Sequence, residues 1–208
     1  MLLVRGWVVT ENRFLRDEEV QALRSAALAR VEKTGWGSRS AILEWMVLEL
    51  ALFTGLRVSE LAALRCGDLA LGDAGGSLVV WNGKGGKSRV VRYGAALAGE
   101  LVRYLDWKSS ANEPSDAAAP LLLSSQSRGH LSTRALQKMF ARVAKRTGVE
   151  GHRFHDLRHT HASHLYRASD HNLRLVQKQL GHASIRTTQV YADVFDEDLD
   201  EAVNKLYV

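Results

Sequence analysis

The stretch from Phe154 to Tyr191 opens with Phe154-His155-Asp156-Leu157-Arg158-His159-Thr160. It closes with Leu180-Gly181-His182-Ala183-Ser184 and Thr187-Thr188-Gln189-Val190-Tyr191. His155 and Arg158 are three positions apart, so on a helix they share a face. His182 and Tyr191 are nine apart. On one unbroken helix nine residues turn about 900°, which puts the two side chains on opposite sides. Gly181 predicts a glycine C-cap and Ser184 the N-cap of a second helix. A bend between two helices brings His182 and Tyr191 round one point in space.

The rest of the chain has to support that stretch. Its 208 residues are enough for one good-sized domain or two small ones, and with 46% hydrophobic residues it can bury a sizeable core. Cys66 is the single cysteine, which rules out an intramolecular disulfide or a cysteine zinc cluster and fits a reducing, cytoplasmic compartment. Met1 to Thr10 is short, is interrupted by Arg5 and lacks a basic start, so it does not read as a signal peptide. No uncharged apolar run approaches the roughly 18 residues of a membrane span. The net charge of +5 is unevenly placed: after Tyr191, six acidic residues face Lys205 alone, leaving +10 on residues 1–191. A basic body of that size points to a polyanionic partner, most simply nucleic acid.

In chain order, residues 1–16 read as an irregular lead-in. Asp17 to Arg30 predicts a helix with acidic residues at its positive end, and Ser40 to Phe53 a buried helix ended by Gly55. A further helix starts near Arg57 and runs to about Leu64, placing Arg57 and Glu60 three apart at its start. Ser77–Trp81 and Arg89–Tyr93 are β-branched runs, and Asn82-Gly83-Lys84-Gly85-Gly86-Lys87-Ser88 between them predicts a hairpin with a basic, glycine-rich tip. It does not fit a P-loop, because no helix follows. Helices are expected over Ala95–Lys108, from Ser132 to Arg146, from His155 to about Arg167 and over Leu173–Leu180, with a short strand at Leu121–Leu123. Val194, Phe195, Leu199, Val203 and Leu206 form a helix-spaced apolar stripe in the tail. The sum is a mostly α chain with a small antiparallel β-sheet, an α+β fold.

Arg57, Lys84, His155, Arg158, His182 and Tyr191 make a chemically coherent group. Two arginines can clamp a phosphate through forked donors that stay charged at any working pH. A lysine can give a proton to a leaving oxygen, and histidines can bind a phosphoryl oxygen or take a proton. A tyrosine can act as the nucleophile that divides a phosphodiester transfer into two reversible steps. Such a site works by electrostatic stabilisation of an in-line phosphoryl transition state.

The sequence resembles the catalytic domain of the tyrosine recombinases, the phage-integrase and Xer-type family. The matching blocks are Thr54-Gly55-Leu56-Arg57-Val58-Ser59-Glu60-Leu61, Gly83-Lys84-Gly85-Gly86-Lys87-Ser88-Arg89, His155-Asp156-Leu157-Arg158-His159-Thr160, Leu180-Gly181-His182 and Thr187-Thr188-Gln189-Val190-Tyr191, in the family's order. The resemblance implies roles. Tyr191 attacks the scissile phosphate and forms a 3′-phosphotyrosyl link. Lys84, with Lys87 as the alternative, protonates the departing 5′-oxygen. Arg57 and Arg158 hold the non-bridging oxygens, His155 assists tyrosine deprotonation, and His182 donates to a phosphate oxygen. Glu60 orients Arg57 or His155. No cofactor, metal or ATP is implied.

The implied partners are double-stranded DNA, bound by a homo-tetramer, and an accessory DNA-binding protein, in the cytoplasm on the nucleoid. The resemblance assigns residues 17–191 to the catalytic domain and 192–208 to a tail helix that docks on a neighbouring protomer or on its own domain. The N-terminal core-binding domain of most family members is absent from this sequence. That fits either a natural single-domain recombinase, similar in size to the fimbrial-switch invertases, or a shortened one. Three other readings compete: a non-catalytic DNA-binding regulator of the same fold, a type IB topoisomerase, and a metal hydrolase built on His155, His159, His161 and His164. Against the last, Asp156 stands where H-E-x-x-H has glutamate, and Arg158 would repel a cation.

Overall fold

One helix is buried on every side, and the others are laid round it. In the computed structural model, which describes residues 13–81, 88–182, 184 and 186–189, α1 (Asp17–Lys33) is followed by this central helix, α2 (Arg39–Thr54). Ser38 caps α2 by accepting from the N–H of Ala41. Ile42, Leu43, Trp45, Met46, Leu48 and Leu50 are all buried, and so are Glu44 and Glu49. Two buried carboxylates on an apolar helix require partners. Arg24 meets Glu49 with paired bonds of 2.7 and 3.0 Å, while Arg30 and Arg146 meet Glu44. These arginines come from α1 and from α5 (Thr133–Thr147), so the pairs fix which helices flank α2.

α1 buries Val20, Leu23, Ala27 and Val31, one stripe at helical spacing, and its first turn is acidic as expected. α2 stops at Gly55, whose φ of +63° is the left-handed conformation glycine adopts freely. After α3 (Val58–Ala63) come the strands β1 (Leu69–Ala70), β2 (Gly75–Val80) and β3 (Arg89–Gly94), antiparallel in the order β1-β2-β3. Leu78 lies opposite Val91, and Leu78, Val80, Val91 and Tyr93 form the sheet's buried face. α4 (Ala95–Ser110), α6 (Phe154–Ala168), α7 (Leu173–Leu180) and the short α8 (Arg186–Gln189) complete the described elements.

The mostly α fold with a small antiparallel sheet is therefore as predicted, with two local differences. Leu121–Leu123 is not a strand of the sheet. Two isolated bridges flank it, Arg65 with Pro120 and Leu123 with His130, and its backbone bonds are divided between two neighbours, Leu121 N–H to the Leu64 carbonyl and Leu131 N–H to the Leu122 carbonyl, so no continuous ladder forms. The sheet gains β1, too short and too mixed in composition to be legible beforehand. The lead-in up to residue 12, the hairpin tip 82–87, and the tail beyond Gln189 with its apolar stripe lie outside the described residues. Among the described residues no helix is long and apolar enough to cross a membrane.

Candidate active site

Three chain reversals meet at one place: the end of α2, the end of α7 and the start of β3. The side chain that joins the first two is Arg158. It is 2% exposed, and its guanidinium donates to the carbonyl oxygens of Gly55 (2.6 Å) and Leu180 (2.9 Å). Both carbonyls sit at helix C-terminal ends, where the last oxygens have no partner within the helix and the dipole is negative. A buried cation is therefore stabilised by two helix ends at once. His155 lies on the same helix, α6, but is exposed. An interval of three residues turns about 300°, which leaves the two side chains about 60° apart. One lines the floor and the other the rim.

Arg57 sits at the N-cap of α3, and Glu60 anchors it. The Arg57 backbone N–H donates to Glu60 Oε2 (2.8 Å) and its Nη1 to Oε1 (2.9 Å). Glu60 was expected to orient Arg57 or His155, and the structure places it on Arg57. It also holds a residue not singled out from the sequence. Arg89, the first residue of β3, donates through Nη1 and Nη2 to the two Glu60 oxygens, each at 2.8 Å. Arg158 Nη1 lies 3.9 Å from the same carboxylate. Burial by itself would raise the Glu60 pKa. The Arg89 hydrogen bonds, the Arg57 N–H and the charges of Arg89 and Arg158 outweigh it and bring the carboxyl down to about 2. Three guanidiniums and one carboxylate leave a net charge of +2 on this cluster.

His182 follows α7 directly, past the left-handed Gly181. Its Nδ1 is 3.0 Å from the hydroxyl of the buried Thr188, the first contact across the bend predicted after Gly181. Burial, then the charges of Arg158, Arg57, His159 and Arg89, push the His182 pKa down to about 3, so the ring is neutral and close to the arginines. His155 is also lowered, by desolvation of its packed side and by Arg158, and its ring meets His159 edge-on at 4.7 Å.

The remaining histidines have packing roles. His161 is buried and donates from Nδ1 to the carbonyl of Leu52 (2.8 Å), and its ring lies against Gly55. His164 faces Asp17 at 3.0 Å. Among the described residues no three His, Cys, Asp or Glu side chains converge in a metal-holding arrangement.

Arg57, Glu60, Arg158 and His182 are thus brought together, with His155 at the edge. Lys84, Lys87 and Tyr191 lie outside the described residues. Residues 13–198 match the phage integrase family.

The chain belongs to the phage integrase family.

Curated members of that family include a tyrosine recombinase XerC of Corynebacterium glutamicum, 38% identical over 162 residues, covering 77% of this chain and 50% of the relative. A tyrosine recombinase of Pseudothermotoga lettingae is 38% identical over 167 residues, covering 78% of this chain and 54% of the relative. The chain therefore spans about half the length of these curated relatives. Among solved structures, XerA recombinase superposes with a TM-score of 0.74 at 28% identity, over 94% of this chain and 65% of that one. The XerH site-specific recombinase bound to palindromic difH substrate, in a post-cleavage complex, also gives 0.74, at 27% identity over 95% of this chain and 53% of that one. The catalytic domain of bacteriophage HP1 integrase shares the fold, with a TM-score of 0.58 at 22% identity over 93% and 94% of the two chains.

Arg89 and Thr188 are what sequence reading missed. Arg89 ends the basic hairpin block, but on a strand flanked by lysines it reads as solvated charge; only the Glu60 contact distinguishes it. Thr188 gives no sign of its partner, because the bend that brings it to His182 is a tertiary feature.

Proposed function

We propose that residues 17–191 form the catalytic domain of a site-specific DNA recombinase, with Tyr191 as nucleophile. The observation that carries this reading is the convergence of Arg57, Arg158 and the neutral His182 round the arginine-paired Glu60. A net +2 cluster is suited to a phosphodiester that gains a negative charge in its five-coordinate transition state.

In the proposed step the Tyr191 phenolic oxygen bonds to phosphorus while the bond to the 5′-oxygen breaks. The phenolic proton passes to His155, whose lowered pKa keeps it neutral and able to accept. Lys84, or Lys87 in its place, protonates the 5′-oxygen. Arg57 and Arg158 hold the non-bridging oxygens, and His182 donates to one of them. With the Thr188 hydroxyl donating to Nδ1, the His182 tautomer carries its proton on Nε2, where it can serve as that donor. Attack by the 5′-hydroxyl of another strand reverses the step. The energy of the broken bond is kept in the phosphotyrosyl link, so neither ATP nor a metal enters the step.

Double-stranded DNA is the proposed substrate, and α5 supports it. Arg134, Lys138 and Arg142 recur every four residues along this helix and are exposed, and α5 itself carries no acidic residue. Beside α5 lies a cleft of about 730 Å³ lined by Arg39, Ser124, Ser127, His130, Arg134 and Lys138. His130 donates from Nδ1 to the carbonyl of Ala62 (2.9 Å), at the far end of the helix that Arg57 begins. A six-residue helix is about 9 Å long, so the cleft and the arginine cluster are close neighbours. Residues 192–208 are proposed to dock on a neighbouring protomer within a tetramer on DNA, in the cytoplasm.

The test is covalent capture. A library of nicked suicide duplexes of randomised sequence, incubated with the protein without added metal, should yield a detergent-stable protein–DNA adduct. Tyr191→Phe should yield none, and an adduct that persists in that variant overturns the nucleophile assignment. Relaxation of supercoils without strand exchange would identify a topoisomerase instead.

A further inference from the structure

Among the described residues Arg89 is the charged side chain that joins the β-sheet to the arginine cluster. Its side chain is 14% exposed, and both Nη atoms are spent on Glu60 at 2.8 Å. It reaches Glu60 across the turn that ends α7. A Cβ on Gly181 would stand 2.4 Å from Arg89 Cδ and 2.7 Å from Nε, so glycine at 181, favoured by its φ of +66°, also leaves Arg89 room for this path. The paired geometry is kept although Nε is buried with no hydrogen-bond partner among the described residues. An unsatisfied buried donor is costly, and the Glu60 pair must offset that cost.

β3 itself is held to the same turn. The Gln179 side-chain amide donates to the Arg92 carbonyl (2.7 Å) and accepts from the Arg92 N–H (3.2 Å), pairing α7 with the sheet edge. Arg89 and Gln179 are thus two rivets between one strand and one helix end, and Arg89 reaches on to the arginine cluster.

Glu60 has two oxygens, and each serves both arginines. Oε1 accepts from Arg57 Nη1 and Arg89 Nη1, and Oε2 from the Arg57 N–H and Arg89 Nη2. The direction in which Arg57 points is therefore set by a carboxylate whose plane Arg89 fixes. We propose that Arg89 is a positioning residue for strand cleavage: it locks the Glu60 carboxylate and so aims Arg57 at the scissile phosphate, without touching DNA itself. This rests on the recombinase reading of the site.

The experiment measures adduct formation on a captured suicide duplex for Arg89→Met, Arg89→Lys, Glu60→Gln and the double variant Arg89→Met/Glu60→Gln, alongside DNA affinity and melting temperature. Arg89→Lys keeps the charge and loses the paired geometry, so it serves if Arg89→Met does not fold. The expected result is a cleavage rate down about 100-fold with DNA affinity within about threefold, the scale of a misaimed catalytic group. The double variant should be no worse than the single ones, because the two residues act as one unit.

A duplex with sulfur in place of the scissile 5′-oxygen separates mechanisms, since its thiolate leaves without a proton. Cleavage by the Arg89 variants should stay depressed on it. Wild-type rates in Arg89→Lys, full recovery on the sulfur duplex, or additive losses in the double variant would each overturn the proposal while leaving the recombinase reading intact. If the wild-type protein forms no adduct with any duplex, that reading falls and this one with it.

Discussion

Arg158 donates to the carbonyl of Gly55 at 2.6 Å, across 103 residues of chain. The bond ties the helix that bears His155 to the loop that bears Arg57. It also gives Arg158 a structural role beside its proposed one as a phosphate ligand. Arg158→Ala leaves the Gly55 and Leu180 carbonyls without their buried donor, at about 1–3 kcal/mol each. The expected outcome is a lowered melting temperature together with loss of cleavage. The two should be separated by measuring adduct formation below the variant's melting point, where cleavage should still fall far more than DNA binding. Equal losses would make Arg158 a plain backbone contact.

Gly55 predicts a second effect. At φ +63° an alanine is strained by about 1–2 kcal/mol, and its Cβ would stand 2.4 Å from His161 Cδ2 and 2.9 Å from Leu180 Cδ2. Gly55→Ala should destabilise the fold by about 2–4 kcal/mol in a denaturant titration. A change below about 0.5 kcal/mol would show that the end of α2 can shift without cost.

Acid should weaken the protein well before its carboxylates are neutralised. Burial lowers the His161 pKa to about 4; burial with the charges of Arg158, Arg57, His159 and Arg89 lowers His182 to about 3; burial with His155 and Arg158 lowers His159 to about 4. In the unfolded chain these rings take up protons near the ordinary histidine value of about 6.5. Between there and about pH 4 the unfolded state therefore binds more protons than the native one, and stability falls as pH falls. Each fully resistant histidine contributes a slope of up to about 1.4 kcal/mol per pH unit. Glu60, held at about 2, adds to the loss below its ordinary value. Melting temperatures from pH 7 to 4 should decline continuously. A flat profile would mean that the rings are protonated in the native state.

The basic face of α5 predicts a salt effect. Arg134→Ala and Lys138→Ala should each weaken DNA binding about equally on all sequences and reduce the salt slope of log affinity by about 1. Adduct formation at saturating DNA should change little. A loss confined to one sequence would place these side chains on base edges instead.

Much of this was legible from residue order. The helices over α1, α2, α4, α5, α6 and α7 follow from apolar spacing and, for α5, from the cap Ser132; the Ser38 cap of α2 emerged only in the structure. Gly55 and Gly181 announced their left-handed turns because only glycine is at ease there. The pairing of Arg57 with Glu60 was visible because the two are close in sequence at a helix start. Leu121–Leu123 reads as a strand but forms only isolated bridges, because a short apolar run does not reveal whether one neighbour runs alongside it far enough for a ladder.

By itself the sequence determined which groups are available and the local turns that present them: a spacing of three for His155 and Arg158, a glycine before His182, a helix opening at Arg57. Tertiary structure alone decided that Arg158 is buried against two helix ends, that Arg89 belongs to Glu60 rather than to solvent, and that Thr188 meets His182. The physical reason is that helical periodicity and capping act over one or two turns of chain. Burial and ion pairing depend on which distant segments the core brings side by side, and nothing in the local pattern records that choice.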